Sequence, residues 1–163
     1  MDGKLRNMAT VYLFKNQKVL LLYRQGGKVV NDVWTGSAGG HFENQELNDA
    51  RACVFREMEE ELGLLPDDID RMTLRYITLR KTNEEIRQNY YFFAELKDNI
   101  DDNLCSNEGV SKWFSIEELD TLEMPLTAKF VTQHYSKIGH LTNNIYVGVA
   151  TNDNVIFSDL LDT

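Results

Sequence analysis

Four glutamates fall within five consecutive positions of the stretch REMEEELG, residues 56–63: Glu57, Glu59, Glu60 and Glu61. On a helix, like charges three or four residues apart repel by roughly 0.2–0.5 kcal/mol per pair, so the cluster is a cost unless something offsets it. At ~100° per residue, Glu57, Glu60 and Glu61 share one arc, and Val54, Phe55, Met58 and Leu62 occupy the neighbouring arc that faces a core. Glu59 points elsewhere, into solvent. Three carboxylates at the rim of a buried face suit a hard cation, which takes oxygen ligands. In a chain with 26 Asp and Glu such a helix is as often a plain solvated face, so its surroundings must decide.

The elements that would position this arc read as follows. The helix runs from about Asn48 to Leu62, with Asn48 or Asp49 as N-cap and Gly63 as a stop before Pro66. Before it, MATVYLF (8–14) and KVLLLYR (18–24) are β-favouring runs joined by KNQ, which reads as a hairpin. The Gly- and Asn-rich segment 25–45 reads as a long loop around a short strand near Trp34. Two long strands follow, 71–82 and 86–96; alternation sends Tyr90 and Phe92 to one face and Tyr91 to the other. VSKWF (110–114) reads as a short strand, SIEELDTL (115–122) as a short helix, and 125–139 as a longer helix begun by Pro and ended by Gly. NIYVGVA and NVIFSDL flank TND and predict a terminal hairpin. This order of strands and helices gives an α+β or α/β class, in one domain spanning residues 1–163.

Composition removes several functions. A net charge of −9 without a basic run is a poor match to long nucleic acid, whose binding rests on Lys and Arg contacts to phosphates. A small anionic ligand arriving with divalent cations is compatible, because the cations reverse the local sign. No apolar run approaches the ~20 residues of a membrane span, and the polar start predicts no signal peptide. Cys53 and Cys105 form no spaced pair, and His41, His134 and His140 lack ligand spacing with them, which argues against a zinc site. The expectation is a cytoplasmic protein that binds neither nucleic acid nor membrane.

With GGHFENQE placed before the helix, the sequence resembles the Nudix hydrolase family. The family signature is Gly, five residues, Glu, seven residues, Arg-Glu, an apolar residue, any residue, Glu-Glu, any residue, Gly and an apolar residue. Arg56, Glu57, Met58, Glu60, Glu61, Gly63 and Leu64 match its second half, and Gly40 and Glu46 its first. One departure stands out: nine residues, not seven, separate Glu46 from Arg56, and counting back from Arg56 would put the first glutamate at Asn48. The role of Glu46 is therefore open. The W-x-G-x-x-GG approach from Trp34 and the later NEGVSKWFSIEEL also resemble Nudix domains, so residues 8–138 would be the Nudix core. The terminal hairpin, about 143–160, would be an addition.

The resemblance implies an α/β/α sandwich around a mixed sheet, and Mg²⁺-dependent hydrolysis (Mn²⁺ being the substitute ion) of a diphosphate linkage in a nucleoside diphosphate derivative. It implies Glu60 and Glu61 as metal ligands, Glu57 as third ligand or base for the water, and Arg56 as the residue that orients Glu57. A carbonyl of Gly39 or Gly40 would also reach the metal. Glu108, before Trp113, would assist as ligand or base, and Arg24 would contact phosphate or make a strand-end ion pair. Trp34 is a candidate to stack on the base, beside Tyr90, Tyr91 and Phe92. The short build looks like the nucleoside triphosphate pyrophosphatases, including those that clear oxidised dGTP; ADP-ribose and nucleotide sugars are the alternatives.

Rival readings are weaker. The acidic loop DNIDDNLCSNEG puts Ile100 and Asn103 where an EF-hand needs an oxygen ligand and a glycine. A nucleotide-sensing Nudix domain that does not hydrolyse would have lost box glutamates that this chain keeps. A Nudix-fold isomerase uses a cysteine, and Cys53, inside the helix, reads as a packed residue. An exposed edge at the terminal hairpin would invite pairing, so a homodimer is an expectation.

Overall fold

In the computed structural model, which describes residues 2–24 and 32–163, a hairpin is the first unit. Strand β1 (Lys4–Lys15) turns at Asn16 and Gln17 into β2 (Lys18–Arg24). Both turn residues have positive φ, 50° and 62°, the sense that matches the twist of a tight hairpin. The two strands pair only near the turn, Leu13–Lys15 against Lys18–Leu20. Beyond it they fork, and the glycine-rich segment fills the fork with two short strands. β3 (Val33–Thr35) pairs with β2, and β4 (Ala38–His41) pairs with β1. Ser37 sits at the branch point: its hydroxyl accepts from the Leu13 amide at 2.8 Å and donates to the Leu20 carbonyl at 2.5 Å. That restores the backbone pairing the fork removes.

Helix α1 (Ala50–Leu62) begins where Asp49 accepts from the Ala52 amide at 3.1 Å and ends at Gly63, whose φ of 70° is the left-handed stop. Strands β5 (Ile69–Lys81) and β6 (Glu85–Leu96) follow, then β7 (Val110–Ser115), α2 (Leu126–Lys137), β8 (Ile145–Ala150) and β9 (Val155–Leu160). Among the described residues the sheet runs β3-β2-β1-β6-β5-β8-β9, with β4 on β1 and β7 on β2. It is mixed: β1 is parallel to β6 and β5 to β8, the other pairs being antiparallel.

Alternation along β1 splits the core in two. Ala9, Val11 and Leu13 face α1, which contributes Cys53, Val54 and Met58, all fully buried. Tyr12 faces α2 together with Tyr76, Tyr91 and Phe93. Each large apolar side chain so buried stabilises by about 1.5–3 kcal/mol, and α1 is thereby fixed in rotation about its axis. The expected α/β/α sandwich with a mixed sheet is what forms, and Tyr90 and Tyr91 diverge as alternation requires.

Three expectations change. β1 starts at Lys4, four residues before the apolar run, because Lys4–Asn7 pair in parallel with Glu85–Gln88; sheet pairing overrides a polar sequence there. The segment read as loop holds a second strand, β4, whose glycines carry no strand propensity but whose backbone is bonded to β1. Residues 25–31 of that segment lie outside the described residues. SIEELDTL forms a 3-10 helix over Ile116–Thr121, held by the Ser115 amide donating to Glu118 at 2.7 Å.

The terminal hairpin adds two strands to the sheet. β8 lies parallel to β5, an arrangement that needs a crossover, and α2 supplies it. Tyr146 and Phe157 pack around Tyr76 and His134, with ring centroids 4.6–5.6 Å apart. Val149 and Ile156, on the other face, are 51% and 61% exposed. No helix among the described residues is long and apolar enough to cross a membrane.

Candidate active site

The carboxylates of α1 meet β4 across the fork. Gly40 lies directly under Glu57: a Cβ there would come within 2.1 Å of the Glu57 carboxylate, so a larger residue would displace that carboxylate from its present place. The Gly39 amide donates to Glu61 at 3.3 Å. Glu61 is 7% exposed, whereas Glu59 and Glu60 face water.

Two arginines hold the cluster. Arg56 donates through Nε and Nη2 to Glu46 at 2.7 and 3.1 Å, and through Nη1 to Glu57 at 2.7 Å and Glu60 at 3.1 Å. Nη2 also reaches the His41 carbonyl at 3.0 Å. Arg24, at the end of β2, reaches Glu61 at 3.3 Å and Glu108 at 3.4 Å. Its Nε is buried with no partner among the described residues. The Glu108 loop is tied to α1 by Asn107, which donates to the Glu60 carbonyl at 3.1 Å.

Electrostatics separates the carboxylates. Hydrogen bonding from Arg56 holds Glu46 below the usual carboxylate range, although it is 3% exposed. Burial raises Glu57 against the pull of Arg56. Burial lifts Glu61 to about 7, because Arg24 offsets only part of the desolvation. Burial also pushes the Cys53 thiol up to about 12, which leaves it an inert packed residue.

The structure thus brings together Arg24, Gly39, Gly40, Arg56, Glu57, Glu60, Glu61 and Glu108. It does not bring Trp34 to them: the Trp34 ring packs on Tyr23 and Phe114, at 4.9 and 4.7 Å, beside the second core. Among the described residues no three His, Cys, Asp or Glu side chains converge as a closed ligand set; Glu57 and Glu60 are paired to Arg56, and Glu61 to Arg24. Sequence reading left Glu46 open and gave no sign of Asn107 or Ser37. Glu46 reaches Arg56 despite the longer spacing because residues 47–49 are exposed and take up the extra length.

A family model described as the NUDIX domain matches residues 4–135. Among solved structures the chain is similar to a mutator MutT protein from Bacillus halodurans, at 18% identity and TM-score 0.69, over 94% of this chain and 97% of that one. It is also similar to a MutT protein from Methanosarcina mazei Go1 (17% identity, TM-score 0.62, 84% and 96% covered) and a NUDIX hydrolase from Nitrosomonas europaea (18%, 0.60, 82% and 91%). No curated protein matches in sequence. The chain belongs to the Nudix family, and its class is that of the Nudix pyrophosphohydrolases.

Proposed function

We propose that the protein hydrolyses the diphosphate linkage of a nucleoside diphosphate derivative, with nucleoside triphosphates, normal or oxidised, as the favoured class and NMP and pyrophosphate as products. The observation that carries this reading is the clamp of Arg56 between Glu46 and Glu57, which keeps the family's paired residues together in space across a lengthened motif. The bland alternative, a wet acidic face, does not account for Glu46 and Glu61 being buried.

The donor set fits a hard divalent cation. It offers oxygen donors only, and the buried Glu61, raised to about 7, is a group that a cation would restore to the ionised form. Glu60 and Glu61, with Glu57 and a carbonyl of Gly39 or Gly40, would hold the ion. Magnesium, when bound there, neutralises the diphosphate and acidifies a coordinated water.

The protein's own groups divide the remaining work. Glu57, its other oxygen fixed by Arg56, would take the proton of the attacking water. Arg24 would turn from Glu61 and Glu108 to a phosphate oxygen, and its Nε, without a partner among the described residues, would supply a further donor. Glu108, 48% exposed, would serve as second base or ligand at the open side. Trp34 is one register step from Arg24 on the other face of the sheet, so it would meet the base only where the substrate passes the strand ends. Free Cys53 and Cys105 fit action in a reducing cytoplasm.

The test is pyrophosphate and phosphate release from normal and oxidised dNTPs, ADP-ribose, nucleotide sugars and dinucleoside polyphosphates, each with Mg²⁺ and with EDTA. Metal-dependent release from triphosphates alone is expected. Release from ADP-ribose or nucleotide sugars alone would replace the substrate class, and nucleotide binding without release would replace hydrolysis with sensing.

A further inference from the structure

A cavity of about 420 Å³ opens on the α2 face of the sheet, between the β1–β2 turn and the segment that follows α2. None of the carboxylates of α1 lines it. Its volume is within the ~300–1,000 Å³ usual for small-molecule sites. The floor is aromatic: Tyr135 stacks on Phe93 at 4.1 Å, and Phe14 lies 5.9 Å from Phe93. Phe14 and Tyr135 stay half-buried, with ring surface left to the cavity.

Arg75 forms the inner wall and is 8% exposed. Its Nε donates to the Asn144 carbonyl at 3.0 Å, and its Nη2 to the Gly139 and Thr142 carbonyls at 2.8 Å. Those acceptors are neutral, and no carboxylate among the described residues pairs with this guanidinium. Nη1 makes no hydrogen bond among the described residues, and Arg75 lines the cavity. Of the other cations at the mouth, Arg71 pairs with Glu95 at 2.8 Å, and Lys15, partly exposed to water, donates to the Asp98 and Ile100 carbonyls.

A buried guanidinium met by neutral carbonyls and by the Tyr135 ring, whose centroid is 6.0 Å from its Cζ, has no anionic partner among the described residues, and it is strongest towards an anion that meets it out of water. We propose that this cavity is a second ligand site, for a small aromatic compound carrying one anionic group. The ring lies on Tyr135 and Phe14, and the acid accepts from Nη1 of Arg75.

Phenyl phosphate is the probe and benzyl alcohol, of similar size, its uncharged counterpart. Both are titrated into the full chain in EDTA and followed by amide chemical shifts. Phenyl phosphate produces saturable shifts at Thr73, Tyr135 and Thr142, and benzyl alcohol binds at least about tenfold more weakly. Thr73, exposed on the cavity wall, becomes the blocking position: Thr73→Trp abolishes these shifts and leaves pyrophosphate release unchanged. Shifts confined to Gly40 and Glu57–Glu61, no saturable binding, or equal binding of the alcohol would each overturn the site. So would undiminished binding to a folded Thr73→Trp variant.

Discussion

Arg56 and Arg24 each hold a buried glutamate at the carboxylate cluster, Glu46 just ahead of α1 and Glu61 on it, and leave the two in opposite states. Arg56 is 21% exposed and meets Glu46 and Glu57 at 2.7 Å; Glu46 is driven below its ordinary pKa. Arg24 is 37% exposed and meets Glu61 at 3.3 Å; Glu61 is driven above it. Desolvation acts on both carboxylates, and a short bidentate contact overcomes it where a long single one does not. One arginine is built as a fixed clamp. The other is loosely engaged and keeps a spare donor, which suits a group that must exchange a carboxylate for a phosphate.

The largest effect comes from the carboxylates themselves. Glu60→Gln or Glu61→Gln lowers turnover by orders of magnitude with the circular dichroism spectrum retained; wild-type rates in both would remove the metal-site assignment. Arg56→Met comes next. It strands the buried Glu46, and breaking such a pair costs about 3–5 kcal/mol, read as a lower urea midpoint. A loss comparable to that of a surface pair would show that Arg56 is no clamp.

Arg24→Met sharpens the contrast from the other side. Glu61 near 7 can take a proton when its partner leaves, so stability falls by less than about 1 kcal/mol while KM rises about tenfold. A large stability loss with unchanged KM would make Arg24 structural. The smallest effect is in the pH profile of melting in EDTA. Glu61, raised from 4.5 to about 7, contributes stability that is full below 4.5 and is lost as pH climbs to about 7. Glu46, lowered from 4.5, contributes stability present above that value and lost as pH falls through its folded pKa. Glu61→Gln flattens the neutral side and Glu46→Gln the acid side. Profiles that superimpose on the wild type would refute both assignments.

The clamp and the loose pair were unequally legible in the sequence. Helix α1, its Gly63 stop and the arc of Glu57, Glu60 and Glu61 follow from local periodicity and capping, and its start was readable to within two residues, the cap being open between Asn48 and Asp49. Arg56 and Glu57 carried their roles through the family resemblance. Glu46 was obscured because spacing along the chain was the only measure, and its partner is reached through a turn. β4 was hidden by its glycines, which have no strand preference: Gly39 lies against the β1 backbone at Ala9 and Thr10, and Gly40 against the Glu57 carboxylate. Arg24 and Glu108 meet across 84 residues, a contact that only β2–β7 pairing creates. Arg75 gave no local signal at all, since its acceptors are carbonyls from beyond α2.

Residues 47–49 lie at the surface, with Leu47 55% exposed, between a buried anchor at Glu46 and a helix whose rotation is fixed by its core. They are not equivalent. Asp49 caps the helix at the Ala52 amide, and its own amide donates to the Glu46 carbonyl at 2.8 Å, so the helix start is tied back to the anchor. The two residues by which the motif exceeds the family spacing fit Leu47 and Asn48, where the chain can bulge into solvent while Glu46 stays within reach of Arg56.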